Sequence, residues 1–420
     1  MQDAALIRTC QRKIPHSILP NTFLVDVSLK ARPDDLIYVK RLDLVQWLSR
    51  GLCFMVHNDF CTEVLCGIKK CIGQYESADD CDDNVSSGIE KAYKESFNNK
   101  TFMSYFKKPC ETPTWLIETV KMNGENVLYT CIFVDGMYYW IIGSKNAHFM
   151  FRDCNDLDFY REDNDCMNLV REIVTVVFDE LSKMSHFLQY RNYLISNKFT
   201  ANAEIMRPEN EHVIHITSTK NELYHFTMTS FDLDNPHIVA TDQKEILETF
   251  EYHNLTVVPH MISKFTSYED IAINITYRSN IEGLVIYIVN EDDHTIGLLK
   301  CKTPEYFLKR SLRQVCRKAM NFKTKTFDHV TATKLFLERI DIMKHWLKIS
   351  EDNINKFIAK SKCFIDWMSY NSYLVFGDLD FMTRYPSLWD RFENQDAINQ
   401  ELCLEICDND IEGDTYDDIE

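Results

Sequence analysis

The chain has 420 residues, 45% of them hydrophobic and 12% aromatic, and its 46 Lys and Arg stand against 64 Asp and Glu for a net charge of −18. That length suggests two or three domains, and that apolar content supplies real cores, which excludes a disordered chain. The acidic balance excludes a protein whose whole surface grips nucleic acid without specificity. No apolar run approaches the roughly 18 residues of a membrane span, and residues 1–16 lack the apolar centre of a signal peptide. Fifteen cysteines without a compact, even framework point to free thiols in a reducing compartment, so the protein is expected inside the cell, in cytoplasm or nucleus.

Residues 1–104 read as an N-terminal extension of unassigned role, with apolar segments at 36–48 and 51–56 and an acidic loop at 76–88. Residues 105–304 read as one domain. Within it, 115–152 alternate as hairpin strands, with a turn predicted at Asp135-Gly136. The spacing of Val170, Ile173, Val174, Val177 and Leu181 predicts a helix over 169–187. Segments 212–216 and 222–228 read as paired strands around Ser218-Thr219-Lys220-Asn221. Segments 284–289 and 295–301 pair around Glu291-Asp292-Asp293-His294. Residues 305–400 read as a helical domain, with Leu335, Ile340, Met343, Trp346 and Leu347 as candidates for its buried face. Residues 401–420 hold nine acids and no base. Asp408 opens an EF-hand-like pattern there, but its twelfth position is Ile419, so an acidic tail is the better reading. Cys61, Cys66 and Cys71 lack a second half at zinc-finger spacing and read as plain thiols.

Five short segments carry chemistry. Lys121-Met122-Asn123-Gly124 places a lysine three residues before a glycine, between apolar strand-like runs. Gly143-Ser144-Lys145-Asn146 follows, then Ala203-Glu204-Ile205-Met206-Arg207-Pro208-Glu209-Asn210, then Glu282-Gly283-Leu284-Val285, and last Lys300-Cys301-Lys302. In a strand, residues two apart share a side, so Lys300 and Lys302 face one way and Leu299 and Cys301 the other. Between residues 300 and 326 there are nine Lys and Arg and one acid, Glu305. A basic patch on an acidic body suits a phosphate backbone held at one place.

In order, these segments resemble the motifs of RNA ligases of the tailed-phage type. These form a branch of the covalent nucleotidyltransferase superfamily that includes DNA ligases and mRNA capping enzymes. The resemblance covers roughly residues 105–305, and Phe102 to Lys108 resembles the aromatic-basic lead-in that often precedes the nucleotidyl lysine. It implies an α+β fold: an antiparallel-sheet, ATP-grasp-like nucleotidyltransferase core with an N-terminal extension and a helical C-terminal domain. It also implies ATP and Mg²⁺ as cofactors, and RNA bearing 5′-phosphate and 3′-hydroxyl ends as partner.

By the same resemblance Lys121 is the nucleophile. An ordinary lysine titrates near ~10.4, so its ammonium form must be disfavoured, which Lys300 and Lys302 would do while holding phosphates. Asn123 and Gly124 would line the nucleotide site. Glu204 would hydrogen-bond the ribose, and Lys145 would meet the nucleotide phosphates or the acceptor strand. Tyr224 or Phe226 would stack on the purine, and Glu282 would place the metal or orient the lysine. Lys309, Arg310, Arg313, Arg317 and Lys318 would grip RNA. Two departures matter. Asn123 stands where most of the superfamily has Asp, and an amide cannot serve as a general base. The Arg-x-Asp-Lys type of motif is absent, since Arg339-Ile340-Asp341-Ile342 lies in a helical pattern without the lysine. Two other readings stay open: a capping or DNA-ligase type of nucleotidyltransferase, and a catalytically inactive binding module.

Overall fold

The computed structural model describes residues 6–30, 37–38, 41, 44, 47–70, 113–160, 165–230, 239–344, 347, 349–371, 376 and 380–395. The 76–88 loop, Cys71, the 102–108 segment, Trp346 and the 401–420 tail lie outside them. The chain divides into two compact units. The first is Met1–Arg207 with Lys220–Asp270 and Gly283–Cys301, and the second is Pro208–Thr219 with Ile271–Glu282 and Lys302–Glu420.

The first unit is built on three antiparallel sheets. Strands β1 (Ile7–Lys13), β2 (Thr22–Leu29), β3 (Leu52–His57) and β4 (Phe60–Leu65) pair in sequence order. Then come β5 (Trp115–Lys121), β6 (Glu125–Val134), β7 (Met137–Gly143), β8 (His148–Phe151), β9 (Thr200–Met206), β10 (Glu222–Thr229), β11 (His260–Lys264), β12 (Gly283–Val289) and β13 (Thr295–Lys302). One sheet has the order β10-β9-β6-β7-β8, the other β11-β5-β12-β13. The turn expected at Asp135-Gly136 joins β6 to β7, and φ values of 49° and 78° give it the left-handed pair that a two-residue hairpin needs. The expected pairing of the 284–289 and 295–301 segments is present as neighbouring β12 and β13.

Helices α1 (Asp165–Ser182), α2 (Phe187–Asn197) and α3 (Gln243–Tyr252) pack on β7, β6 and β10 of the five-stranded sheet. Val170, Ile173, Val174, Val177 and Leu181 are buried as their spacing predicts, in one cluster with Tyr129, Trp140 and Phe250. Each such side chain contributes about 1.5–3 kcal/mol by leaving water.

One expectation fails. Segment 212–216 is not a strand, and β10 pairs with β9. The reason is local: Glu211 Oε1 accepts from the His215 ring at 2.7 Å and from the Ile216 amide at 2.6 Å, closing the segment on itself. The N-terminal extension is not an appendage. The Cys66 amide donates to Thr200 Oγ1 (3.2 Å), the Ile68 amide to Asn202 Oδ1 (3.1 Å), and Thr229 Oγ1 to the Cys66 carbonyl (2.6 Å). A β-carbon at Gly67 would sit 2.3 Å from the Arg50 carbonyl oxygen, so only glycine lets this stretch pass.

The second unit holds α4 (Pro304–Lys318), the short hairpin β14 (Met320–Asn321) and β15 (Thr326–Phe327), α5 (His329–Met343), α6 (Glu351–Tyr370) and α7 (Phe381–Gln395). Thr303 caps α4 by accepting from the Tyr306 amide, and Pro304 occupies the first turn, where its missing N–H costs nothing. Phe364 lies 5.0 Å from Trp389 and 5.4 Å from Phe392, ring to ring. Ile340, Met343 and Leu347 are buried as expected, while Phe336 takes the core place next to half-buried Leu335. The described residues thus form a mixed α/β protein with antiparallel sheets and C-terminal helices. No helix among them is long and apolar enough to cross a membrane.

Candidate active site

Lys121 ends β5, with Gly283 of β12 as its register partner. Its Nζ donates to the Met122 carbonyl at 3.4 Å, and the neighbouring Val120 amide is fixed by the Pro259 carbonyl. The chain then turns through Met122, buried Asn123 and Gly124 into β6. Gly124 is sterically required, because a β-carbon there would lie 2.2 Å from the Ile205 carbonyl oxygen. Its amide donates to Glu204 Oε1 at 3.2 Å. The next residue, Glu125, receives Arg207 at 2.9 Å, and Arg207 also meets Glu172 at 2.6 Å. Burial alone would lower the Arg207 pKa, but the two carboxylates outweigh it and raise it. The lysine-to-glycine turn and the start of β6 are therefore clamped by Glu204 of β9 and by Arg207 just after it.

Glu204 sits in a cross-strand row, opposite Asn126 of β6 and Tyr224 of β10. Directly opposed side chains share a face of the sheet. Asn126 Oδ1 in this row is buried and has no hydrogen-bond partner among the described residues. Tyr224 donates to Glu222 at 2.9 Å; burial raises its phenol pKa, and the Glu222 carboxylate adds to this. A bulge between His225 and Thr227 leaves Phe226 without a register partner. The regular pairing of β10 with β9 is therefore interrupted at Phe226.

Lys145 is exposed at the tip of the β7–β8 hairpin, where the Ser144 amide donates to the Ala147 carbonyl at 3.0 Å. Lys300 lies half-buried in β13, between buried Leu299 and Cys301.

In the second unit, Glu282 and Lys302 form an ion pair at 3.6 Å with both side chains only 7% exposed. Lys302 Nζ also lies 5.0 Å from the Tyr306 ring centre. Thr303 ties this corner together: its amide donates to the Glu282 carbonyl and its hydroxyl to that of Ile281. The basic residues of α4 are not one solvated face. Lys309 is buried against Glu305 at 2.7 Å, and Arg313 donates to the His212 carbonyl. Arg317 lies over the Phe322 ring at 4.1 Å, Arg310 is half-buried and Lys318 is exposed.

Sequence reasoning missed a second polar centre. His148 of β8 lies 2.7 Å from Asp26 Oδ1 through Nδ1, and Arg12 reaches both Asp26 Oδ2 (3.2 Å) and the His148 carbonyl (3.0 Å). Burial raises the Asp26 pKa, but the His148 ring and the Arg12 guanidinium overturn this and hold it low. An ionised carboxylate only accepts, so the ring donates from Nδ1. Cys53 brings its thiol within 4.8 Å of the same atoms, a spacing that would admit a metal ion. The chemistry does not favour one. Arg12 already balances Asp26, burial pushes the Cys53 thiol far up, and His148 Nε2 has no acceptor of the kind that steadies a metal-bound imidazole. This is a hydrogen-bonded relay, and breaking it by removing one charge costs about 3–5 kcal/mol. Pairs separated by 122 and 136 positions leave no spacing signal in a single sequence.

The profile of a family described as "Domain of unknown function (DUF7920)" matches residues 96–313. No curated protein matches the sequence. Two solved structures, described as archaeal ATP-dependent RNA ligase forms 2 and 1, are similar at 12% and 11% identity. The first covers 81% of this chain and 82% of its own with a TM-score of 0.42, the second 87% and 98% with 0.40. Likeness at that level carries no functional argument.

Proposed function

We propose that the chain, which belongs to the family of the domain of unknown function DUF7920, is an ATP-dependent RNA ligase that works through a lysyl-AMP intermediate. The side-chain amine of Lys121 attacks the α-phosphorus of ATP and gives up a proton to solvent. An N–P bond forms, the bond from that phosphorus to the bridging oxygen breaks, and pyrophosphate leaves with the electron pair. AMP then passes to the 5′-phosphate of an RNA strand, which restores the amine. Attack by a 3′-hydroxyl joins the strands and frees AMP.

The protein's share is positioning and charge stabilisation. Glu204 would take the ribose while keeping Gly124, with Asn126 beside it and Tyr224 against the base. Lys300, Lys302 and Lys145 would hold phosphate oxygens. For Mg²⁺, Glu282 supplies the right donor, and its 3.6 Å separation from Lys302 is too long for a strong charge-assisted bond. One carboxylate is enough where substrate phosphates complete the shell, so the residues fit the ion. Bound there, it would offset charge on the phosphates.

One observation carries the reading: the bond from the Gly124 amide to Glu204, across 80 positions, unites two of the ordered segments beside the strand end where Lys121 faces Gly283. Intact mass after incubation with ATP, GTP or NAD⁺ tests it. Wild type is expected to gain AMP from ATP, and Lys121→Ala to gain nothing. A GMP adduct would shift the reading to a capping type, and AMP from NAD⁺ to a DNA-ligase type. No adduct from any nucleotide would leave the inactive binding module that Asn123 raises.

A further inference from the structure

The N-terminal sheet reaches the Lys145 hairpin through buried charge. Arg12 of β1 and Asp26 of β2 hold His148 by its ring and by its carbonyl, at 2.7 and 3.0 Å. His148 is the first residue after the Ser144-Lys145-Asn146-Ala147 turn and is fully buried. The turn is tight: a β-carbon at Gly143 would lie 2.0 Å from the Ala147 carbonyl oxygen. Its other side rests on Gly51, where a β-carbon would come within 3.4 Å of both Lys145 Cα and His148 Nε2. Gly51 also has φ +65°, a conformation that favours glycine, and a β-carbon there would lie 2.1 Å from Leu128 Cδ1. Both flanks of the hairpin are thus set by the N-terminal region, while Lys145 itself is exposed.

We propose that Arg12, Asp26 and His148 are positioning residues for Lys145, so that the N-terminal sheet takes part in strand joining by fixing where this ammonium meets a phosphate. The inference rests on the ligase reading. The phosphate belongs either to ATP or to the RNA-adenylate, and two reactions separate them: adduct formation with ATP alone, and joining of a pre-adenylated RNA to a 3′-hydroxyl strand.

The full-length chain is compared as wild type, Lys145→Ala, His148→Gln and the double variant, with kcat and KM measured per folded molecule in both reactions. Each single variant is expected to slow the same reaction about ten-fold, and the double variant to be no slower than Lys145→Ala. A residue that only stabilises the fold would scale both reactions alike, and its effect would multiply with that of Lys145→Ala. Multiplied effects, or no effect of Lys145→Ala in either reaction, overturn the inference while the adduct on wild type leaves the ligase reading standing. No adduct on wild type overturns both. Should His148→Gln fail to fold, Arg12→Lys takes its place. It keeps the cation but loses the fork that serves Asp26 and the His148 carbonyl together.

Discussion

The two faces of the five-stranded sheet carry polar groups of opposite character. On the helix-covered face, His225 donates from Nδ1 to the Thr256 carbonyl at 3.0 Å and accepts from the Tyr129 hydroxyl at 2.8 Å. Tyr129 accepts in turn from Tyr190 at 2.9 Å. All three side chains are fully buried. On the other face, Asn126, Glu204 and Tyr224 are half-buried, and the buried amide oxygen of Asn126 has no partner among the described residues. A chain of groups that satisfy one another builds a core. A row that leaves an acceptor over suits a ligand.

The comparison can be sharpened from the closed side first. Burial lowers the His225 pKa from 6.5 to about 4, although the Thr256 carbonyl opposes it. The unfolded chain therefore binds the proton first. Stability is full above pH 6.5 and falls as pH drops towards 4, by about 3 kcal/mol in total. Denaturant midpoints across that window should show the loss, and His225→Gln should flatten it. An equal slope in the variant would break the assignment of a closed core.

On the open side, Glu204→Ala should slow adduct formation on the order of 100-fold, about 2.7 kcal/mol, while the melting temperature moves little. A large loss of stability with unchanged chemistry would show that the two faces are alike. A last effect is expected for Tyr129→Phe, which strands its partners and costs about 1–3 kcal/mol in unfolding free energy. Its rate of adduct formation per folded molecule should equal that of wild type. A slower rate would tie the closed face to the chemistry.

What was legible in the sequence was what period and order encode. The α1 stripe from Val170 to Leu181 declares itself by helical spacing, and the Asp135-Gly136 hairpin by its turn residues. The bond from the Gly124 amide to Glu204 joins two of the segments that the sequence sets out in order. What long-range pairing decides was not legible. The segment 212–216 has strand composition, yet β9 had already claimed β10 and a glutamate closed the segment on itself. Nor could composition show that Lys309, in a run rich in cations, pairs with Glu305 or that Arg313 donates to the His212 carbonyl. The Arg12, Asp26 and His148 relay was invisible for the same reason.

The hooks from Cys66 and Ile68 onto Thr200, Asn202 and Thr229 bear on how far the chain can be shortened. Cutting away the first seventy residues would strip a lid from the strand floor, wetting Leu128 and stranding the Asn202 amide. Such a shortened protein is expected to precipitate even with every residue of the lysine-to-glycine turn intact.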